Sequence, residues 1–462
     1  MAAPARYLDH VERLADAIAR GDLPSGARLP PQRDYADTYG LATSTVTRIY
    51  AELARRGLAV GEVGRGTFVR SPAVGAAAAF AQWAPAPGAL DGVDLAFNYP
   101  VLSEQTETLR QSLRDMASGG DLSAWLAHTP HDGHPSDRRA AAQWLSRRDG
   151  VANPREVADS LVICAGGQHA LDVLQLALCR AGEPVAVEAL TYPGWKALAA
   201  MRDVPLTAVA MNDGGLDPLA LDKLCRTDTG RGHAGRIRVV YTMPTLHNPL
   251  GCVMPLAQRM ALVEVARRHD LLLIDDSAYG FLVPDAPPPL RLLAPERTFE
   301  VCSLSKPAAP GLRIAYLVAP PAWLPRVHAA MRASVWSAAP FMAQLATRWL
   351  GDGTIDQWIV RKRVMAAQRQ AIARECLAAC GSTGYDGAFH RLVPVPAPLR
   401  CDDVVAALQS RGIAVTPVDA FAAPGQAAPS AIRVALGSPR DDATLRAALA
   451  QVADVMTTLR RP

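Results

Sequence analysis

The sequence predicts an α/β chain in two units: a small helical unit closed by a β-hairpin, then a larger doubly wound, mostly parallel sheet. Three observations carry this. Residues 1–70 hold three blocks with apolar residues at helical spacing, then two alternating runs joined by Gly64-Arg65-Gly66. From Leu161 onward, short aliphatic or β-branched runs alternate with helical patterns, as βα crossover units do. The residues capable of chemistry follow those runs, at the strand ends where doubly wound sheets collect ligands.

Composition bounds the answer. A chain of 462 residues, 50% hydrophobic, can bury several cores and implies two to four domains. With 20% charged residues and a net charge of +4, it is too weakly basic for charge alone to indicate nucleic acid. The stretch from Met1 to Leu14 lacks the apolar core of a signal peptide, and no apolar run approaches the roughly 18 residues that span a bilayer. A soluble, cytoplasmic protein with no membrane partner is expected. The eight cysteines follow no repeating spacing. Cys376 and Cys380, four apart in a helical pattern, read as buried thiols.

In the first unit, Tyr7, Val11, Leu14, Ala17 and Ile18 mark one amphipathic helix, broken at Gly21–Gly26. Pro30-Pro31 starts a short second helix, proline suiting the first turn. Gly40-Leu41 makes a turn, and Thr43 or Ser44 caps a third helix with Val46, Ile49, Tyr50 and Leu53 on its apolar face. Leu58-Ala59-Val60 and Thr67-Phe68-Val69 form the hairpin. The polar face of the third helix carries Thr43, Ser44, Thr45, Thr47 and Arg48, side chains that reach base edges and phosphates when a helix enters the major groove. Arg65, between glycines, suits a minor groove or a phosphate. Ten arginines stand against eight acids in residues 1–70, so a DNA-binding face requires charge focused on one side.

Gly26-Ala27-Arg28-Leu29-Pro30, Gln32-Arg33, Thr45-Val46 with Tyr50 and Leu53, Gly57-Leu58 and Gly64 to Val69 resemble, in register, the winged helix-turn-helix of the GntR family. The resemblance implies double-stranded DNA as partner, with contacts from Arg33, Ser44, Thr45, Arg48, Arg65 and Gly66. Ala42-Thr43 stands where many relatives carry Ser-Arg, a departure that bears on base specificity. Residues 71–92, rich in Pro, Gly and Ala, read as a semi-stiff tether.

The second unit, 93–462, has strand candidates at Leu161–Cys164, Pro184–Val187, Ile237–Thr242, Leu271–Ile274, Thr298–Ser303 and Ile314–Val318. Helical patterns fill His169–Cys179 and Leu256–His269. Gly166-Gly167-Gln168 opens a helix whose free N–H groups suit a phosphate. Tyr192 follows the second run and can lie on a heterocycle. Asn248 sits in a rigid Asn-Pro-Leu-Gly turn. Asp276 closes an apolar strand, where a carboxylate needs a cation, and Tyr279 lies three residues beyond. In Ser303-Leu304-Ser305-Lys306, with Arg313 seven residues on, stands one of only four lysines of the chain (Lys196, Lys223, Lys306, Lys362). Lysine, unlike arginine, can lose its proton when buried and form an imine.

Together these residues form a site for pyridoxal 5′-phosphate. Lys306 makes the imine, Asp276 holds the pyridinium, Asn248 and Tyr279 hydrogen-bond the ring oxygen, and Tyr192 stacks. Ser303, Arg313 and the Gly167-Gln168 amides take the phosphate, with Ser305 in the same block. Order and spacing are similar to the fold-type I aminotransferases across 93–462. Arg433, in Ala431-Ile432-Arg433-Val434-Ala435, looks like that family's carboxylate-gripping arginine. Two departures are His128, where relatives place a tyrosine beside the substrate, and Pro307 after the lysine. His128, His131 and His134 do not read as a metal site, because Pro130 and Pro135 break any helix that would align them.

A GntR winged helix fused to an aminotransferase-like unit resembles the MocR subfamily of bacterial regulators over the whole chain. The resemblance implies a homodimer in which each winged helix crosses onto its partner. It also implies pyridoxal phosphate as an internal aldimine on Lys306, and a transcription factor that senses an amine, an amino acid or pyridoxal phosphate itself. Two alternatives stand beside it: a working aminotransferase that carries a DNA-binding unit, and a constitutive DNA-binding protein with a dimerisation scaffold. Replacing Arg65 by alanine is expected to weaken DNA binding and to lower the salt slope of log K by about 1. Binding measured between low and moderate salt checks this, and an unchanged slope would make the wing a bystander.

Overall fold

A computed structural model describes residues 4–23, 27–55, 58–62, 66–69, 92–119, 122–127, 129–227 and 236–459. Arg65, His128 and residues 71–91 of the expected tether lie outside the described residues.

The first unit is a winged helix-turn-helix. α1 (Pro4–Ala19), α2 (Gln32–Tyr39) and α3 (Thr43–Arg55) precede an antiparallel pair, β1 (Ala59–Glu62) with β2 (Gly66–Val69). Val11, Ile18, Leu29, Tyr35, Val46, Ile49 and Leu53 are buried together, so the 3.6-residue pattern is the core pattern. Gly40 ends α2 in the left-handed region (φ 60°), which sets α3 across α2 at little steric cost.

The larger unit is built on a seven-stranded sheet and a smaller three-stranded one. In chain order its strands are β3 (Val93–Asp94), β4 (Leu161–Cys164), β5 (Val185–Glu188), β6 (Leu206–Val209), β7 (Met211–Asn212), β8 (Gly215–Leu216), β9 (Val239–Thr242) and β10 (Leu272–Asp276). There follow β11 (Thr298–Ser303), β12 (Ala315–Val318), β13 (His390–Pro394), β14 (Ile413–Ala414), β15 (Thr416–Pro417) and β16 (Ala431–Ala435). The large sheet runs β4-β12-β11-β10-β9-β5-β6, parallel except for β12, which is antiparallel to both its neighbours. The small sheet runs β13-β16-β15, antiparallel throughout.

The expected strands appear within one or two residues of their places. β6 was not among them, because only its last residue is buried and a half-exposed strand shows no continuous apolar run. Apolar layers on the large sheet explain why its other strands read as unbroken aliphatic stretches. The longest helix, Thr354–Cys376, bridges the two sheets. Its Arg363 Nε donates to Phe281 O (2.6 Å), and its Gln370 Nε2 donates to Ala388 O and His390 O (2.9 Å each).

Trp195, fully buried, stacks on Tyr241 with ring centroids 4.7 Å apart and planes 8° apart, and Tyr241 in turn holds Asp276. Trp195→Ala is expected to cost about 3–5 kcal/mol, the range for emptying a buried aromatic site. Urea unfolding measures it, and a loss under 1 kcal/mol would show that the ring is dispensable.

Candidate cofactor site and helix-turn-helix face

The strands of the large sheet end around one cavity of about 320 Å³. Gly167, Gln168, Tyr192, Asn248, Asp276, Tyr279, Ser303, Ser305, Lys306, Arg313 and Arg433 all line it. The structure thus brings together every site residue expected in the larger unit except His128, which is not described. His131 and His134 are engaged elsewhere, His131 Nδ1 with Trp336 O (3.3 Å) and His134 as the cap of the helix Pro135–Asp149.

Asp276 is 8% exposed. Its carboxylate accepts from the Tyr241 hydroxyl (2.7 Å) and from the Ala278 amide (3.2 Å), and no basic side chain among the described residues pairs with it. Burial pushes the carboxyl up to about 6, against the pull of those two donors. Lys306 is its counterpart. Burial lowers its amine to about 7, and the guanidinium groups of Arg433 and Arg313 push the same way. Nζ donates to Asn98 O and lies 4.9 Å from the centre of the Tyr99 ring.

The phosphate end is shaped by absent side chains. Gly166 caps the helix Gly167–Leu178 at φ 89°, and a Cβ there would come within 2.5 Å of the Arg313 guanidinium. A Cβ on Gly167 would lie 3.3 Å from Ser303 Oγ. The first amides of the helix, which have no intrahelical acceptor, therefore stand open beside a hydroxyl and a guanidinium. Arg313 itself takes a left-handed backbone (φ 51°), uncommon outside glycine, at the turn into β12. The sequence pointed to Gly167; Gly166 is the position that the geometry reserves for glycine.

Arg433 is 5% exposed, and burial lowers its affinity for a proton. It donates to Asn248 Oδ1 (3.2 Å), to Thr416 Oγ1 (3.0 Å) and to Ala96 O, while its buried Nε has no partner. Asn98 links the parts: its Nδ2 donates to the Tyr279 hydroxyl (3.4 Å), its Oδ1 accepts from the Gly437 amide (3.3 Å), and its carbonyl takes Lys306.

These features meet a test of fit for pyridoxal 5′-phosphate. A buried carboxylate without a cation matches a protonated ring nitrogen. A helix N-terminus with Ser303 and Arg313 matches a phosphate, and a deprotonatable lysine matches an aldehyde.

On the first unit, Arg33, Ser44 and Arg48 are exposed and Thr45 is half-buried. The Arg48 guanidinium lies 4.7 Å from the centre of the Tyr7 ring. Thr47 Oγ1 donates to Gln32 Oε1 (2.7 Å), which fixes α3 against α2.

Residues 91–452 match the family described as aminotransferase class I and II. The chain belongs to that family. Residues 6–69 match the bacterial regulatory proteins of the gntR family, so the two units together have the MocR-type architecture. The chain is similar to the uncharacterized HTH-type transcriptional regulator YdeF of Bacillus subtilis, 25% identical over 93% of this chain and 89% of that one. It is similar also to the HTH-type pyridoxine biosynthesis transcriptional regulator PdxR of Corynebacterium glutamicum, 27% identical over 98% and 96%. Among solved structures, an archaeal alanine:glyoxylate aminotransferase superposes at a TM-score of 0.73, with 22% identity over 83% of this chain and 95% of that one. The larger unit has the fold-type I aminotransferase fold, whose cofactor is pyridoxal 5′-phosphate. Among the described residues, no helix is long and apolar enough to cross a membrane.

Several residues around this cavity were not read from the sequence. Tyr241 is an ordinary strand residue there, and only pairing of β9 with β10 sets it beside Asp276. Glu188, Thr242 and His247 form a buried cluster beneath the Tyr192 loop: Thr242 Oγ1 donates to Glu188 (2.6 Å) and His247 Nε2 to Leu190 O (3.0 Å). Its one sequence signal was His247 next to Asn248. Asn98 and Thr416 gave none.

Between about pH 7 and 10.5, the folded chain binds fewer protons at Lys306 than the unfolded chain does, so this group's contribution to stability rises with pH. Cofactor-free Lys306→Met is therefore expected to be more stable than wild type at about pH 7, by a margin that shrinks towards about pH 9. Urea midpoints across that range check the sign, and a margin independent of pH would mean that the lysine is not desolvated.

Proposed function

We propose that this chain is a pyridoxal-phosphate-dependent transcriptional regulator. Its winged helix (1–70) binds promoter DNA, and its larger unit (93–462), joined through 71–92, senses an amino compound or pyridoxal phosphate itself at Lys306. One observation carries the reading: a single cavity holds a deprotonatable lysine, an unpaired buried carboxylate and a buried arginine with a spare N–H, in a chain that opens with a gntR-type unit. The relatives named as HTH-type regulators, matched nearly end to end, support it.

When bound, pyridoxal phosphate supplies an electrophilic carbonyl carbon and an electron-withdrawing ring. Lys306 Nζ would bear it, Asp276 would face the ring nitrogen and keep its proton in place, and Asn248 and Tyr279 would hold the ring oxygen. Tyr192 would lie against the ring. The Gly167 and Gln168 amides, Ser303, Ser305 and Arg313 would hold the phosphate. Arg433 would take the effector carboxylate, its Nε being free and its bond to Ala96 O exchangeable for a charged acceptor. Arg33, Ser44, Thr45, Arg48, Arg65 and Gly66 would face DNA, with Arg33 and Arg48 supplying charge to phosphates.

A homodimer with crossed winged helices belongs to the same proposal. Exposed apolar pairs one turn apart support it: Val360 with Val364 (59% and 63% exposed) and Leu109 with Leu113 (38% each). A second reading, an active aminotransferase, is favoured by Lys306 and Arg433 lining one cavity.

The test follows visible absorbance and DNA binding in the same tubes while candidate amines are added to the loaded chain. An effector is expected to change the spectrum once and to shift DNA affinity about tenfold, a coupling of about 1.4 kcal/mol. Arg433→Ala should lose the response to carboxylated amines and keep the cofactor. Sustained turnover with a 2-oxo acid would favour the enzyme. Borohydride reduction that adds no mass to the peptide containing Lys306 would sink the proposal.

A further inference from the structure

Lys362 is one of the four lysines and is fully buried on the helix Thr354–Cys376. Its Nζ donates to Lys306 O (2.9 Å) and to Ala308 O (2.5 Å), and Gln105 Nε2 also donates to Ala308 O (2.8 Å). Those two carbonyls flank Pro307. The Ala308 amide donates to Leu304 O (2.9 Å), closing a single tight turn around Ser305, Lys306 and Pro307. A residue before proline is driven towards extended backbone, so Lys306 needs an outside hold to stay in that turn. Outward-pointing carbonyls at the end of a turn suit a cation.

We propose that Lys362 is the positioning residue of Lys306: it clamps the lysine-bearing turn by two carbonyls and keeps the proton that Lys306 gives up. This rests on Lys306 as the cofactor lysine. The charges facing Lys362 are Lys306 and Glu104, the latter ahead of the helix Gln105–Ser118 and paired with Arg361 (2.6 Å). Burial lowers the Lys362 amine to about 7, and the Lys306 charge pushes it the same way. Two cations so placed repel, so the amines titrate as a coupled pair. Lys362 has two carbonyl acceptors and Glu104 in its favour. Lys306 has one carbonyl, Asn98 O, and Asp94 in its favour, and it faces the two guanidinium groups of Arg433 and Arg313. The proton settles on Lys362 and leaves Lys306 as the free amine that attacks carbonyl carbon. Only a proton changes place.

The test uses the full chain with pyridoxal phosphate and reads two quantities: the loading rate of cofactor-free protein at pH 7, and the pH midpoint of the loaded protein's visible absorbance. Lys362→Met is expected to slow loading about tenfold and to move the midpoint up by about one pH unit, because a like charge is removed. Lys362→Arg, which keeps a cation and its donors, should load within about twofold of wild type. A methionine variant with the wild-type rate and midpoint overturns the proposal. If that variant shows no cooperative melt, the arginine variant decides. With a charge that cannot titrate at 362, its absorbance should follow a one-proton curve where the wild type is broadened, and superimposable curves overturn the clamp. Borohydride separates the two failures. No added mass at Lys306 in the wild type removes the cofactor assignment, whereas added mass with an unaffected methionine variant removes only Lys362.

Discussion

Asp276 closes a strand whose four preceding residues, Leu272 to Asp275, are all buried, and the carboxylate meets only a hydroxyl and an amide. Keeping a bare negative charge there costs several kcal/mol, and no basic side chain among the described residues offsets it. Much of the surrounding architecture serves that one group. Pairing of β9 with β10 brings the Tyr241 hydroxyl to it, and Trp195 stacked on Tyr241 keeps the ring from turning away. A cationic heterocycle set against it would turn a destabilising residue into an anchor.

The opposite imbalance holds across the cavity. Lys306, Arg313 and Arg433 line it against Asp276 as the one carboxylate among the described lining residues. Burial first, and then repulsion from Arg433 and Arg313, lowers the Lys306 amine, and an anion beside Arg313 would relieve part of that cost. The cavity is polarised, short of a cation at one end and of anions at the other. A ligand with a positive ring and a negative tail relieves both ends together. For the same reason the cofactor-free fold stores a cost that depends on pH.

The segment from Leu95 to Asn98 ties this polarity to the rest of the chain. Ala96 O accepts from Arg433 and Thr416, Asn98 O accepts from Lys306, and the Ala435 amide donates to Leu95 O. It continues β3, which pairs with β14, so the same stretch of backbone that meets Lys306 and Arg433 is anchored to the smaller part of the larger unit. The helix Thr354–Cys376 supplies the rigid frame. Lys362 holds the Lys306 turn, Arg363 the loop after Tyr279, Gln370 the start of β13, and Arg369 the carbonyls of Leu436 and Pro439.

Local chemistry made much of this legible. The strands β4, β5, β9, β10, β11 and β12 and the three helices of the first unit could be read from apolar spacing, because each depends on neighbours a few residues away. Ser303-Leu304-Ser305-Lys306 and Asp276 could be read as chemistry because their residue types make little sense as packing. The edge strand β6 could not, since it is only half covered, and neither could Tyr241, Asn98, Thr416 or the role of Lys362. Their partners lie 17 to 339 residues away, and a tyrosine or a lysine carries no mark of which backbone will be folded against it. The sequence by itself determined which groups can bond to a carbonyl compound, pair with a ring nitrogen or grip a carboxylate. Only the tertiary structure decided that they share one cavity, because burial and proximity, the two conditions that move their proton affinities, are properties of packing and not of order along the chain.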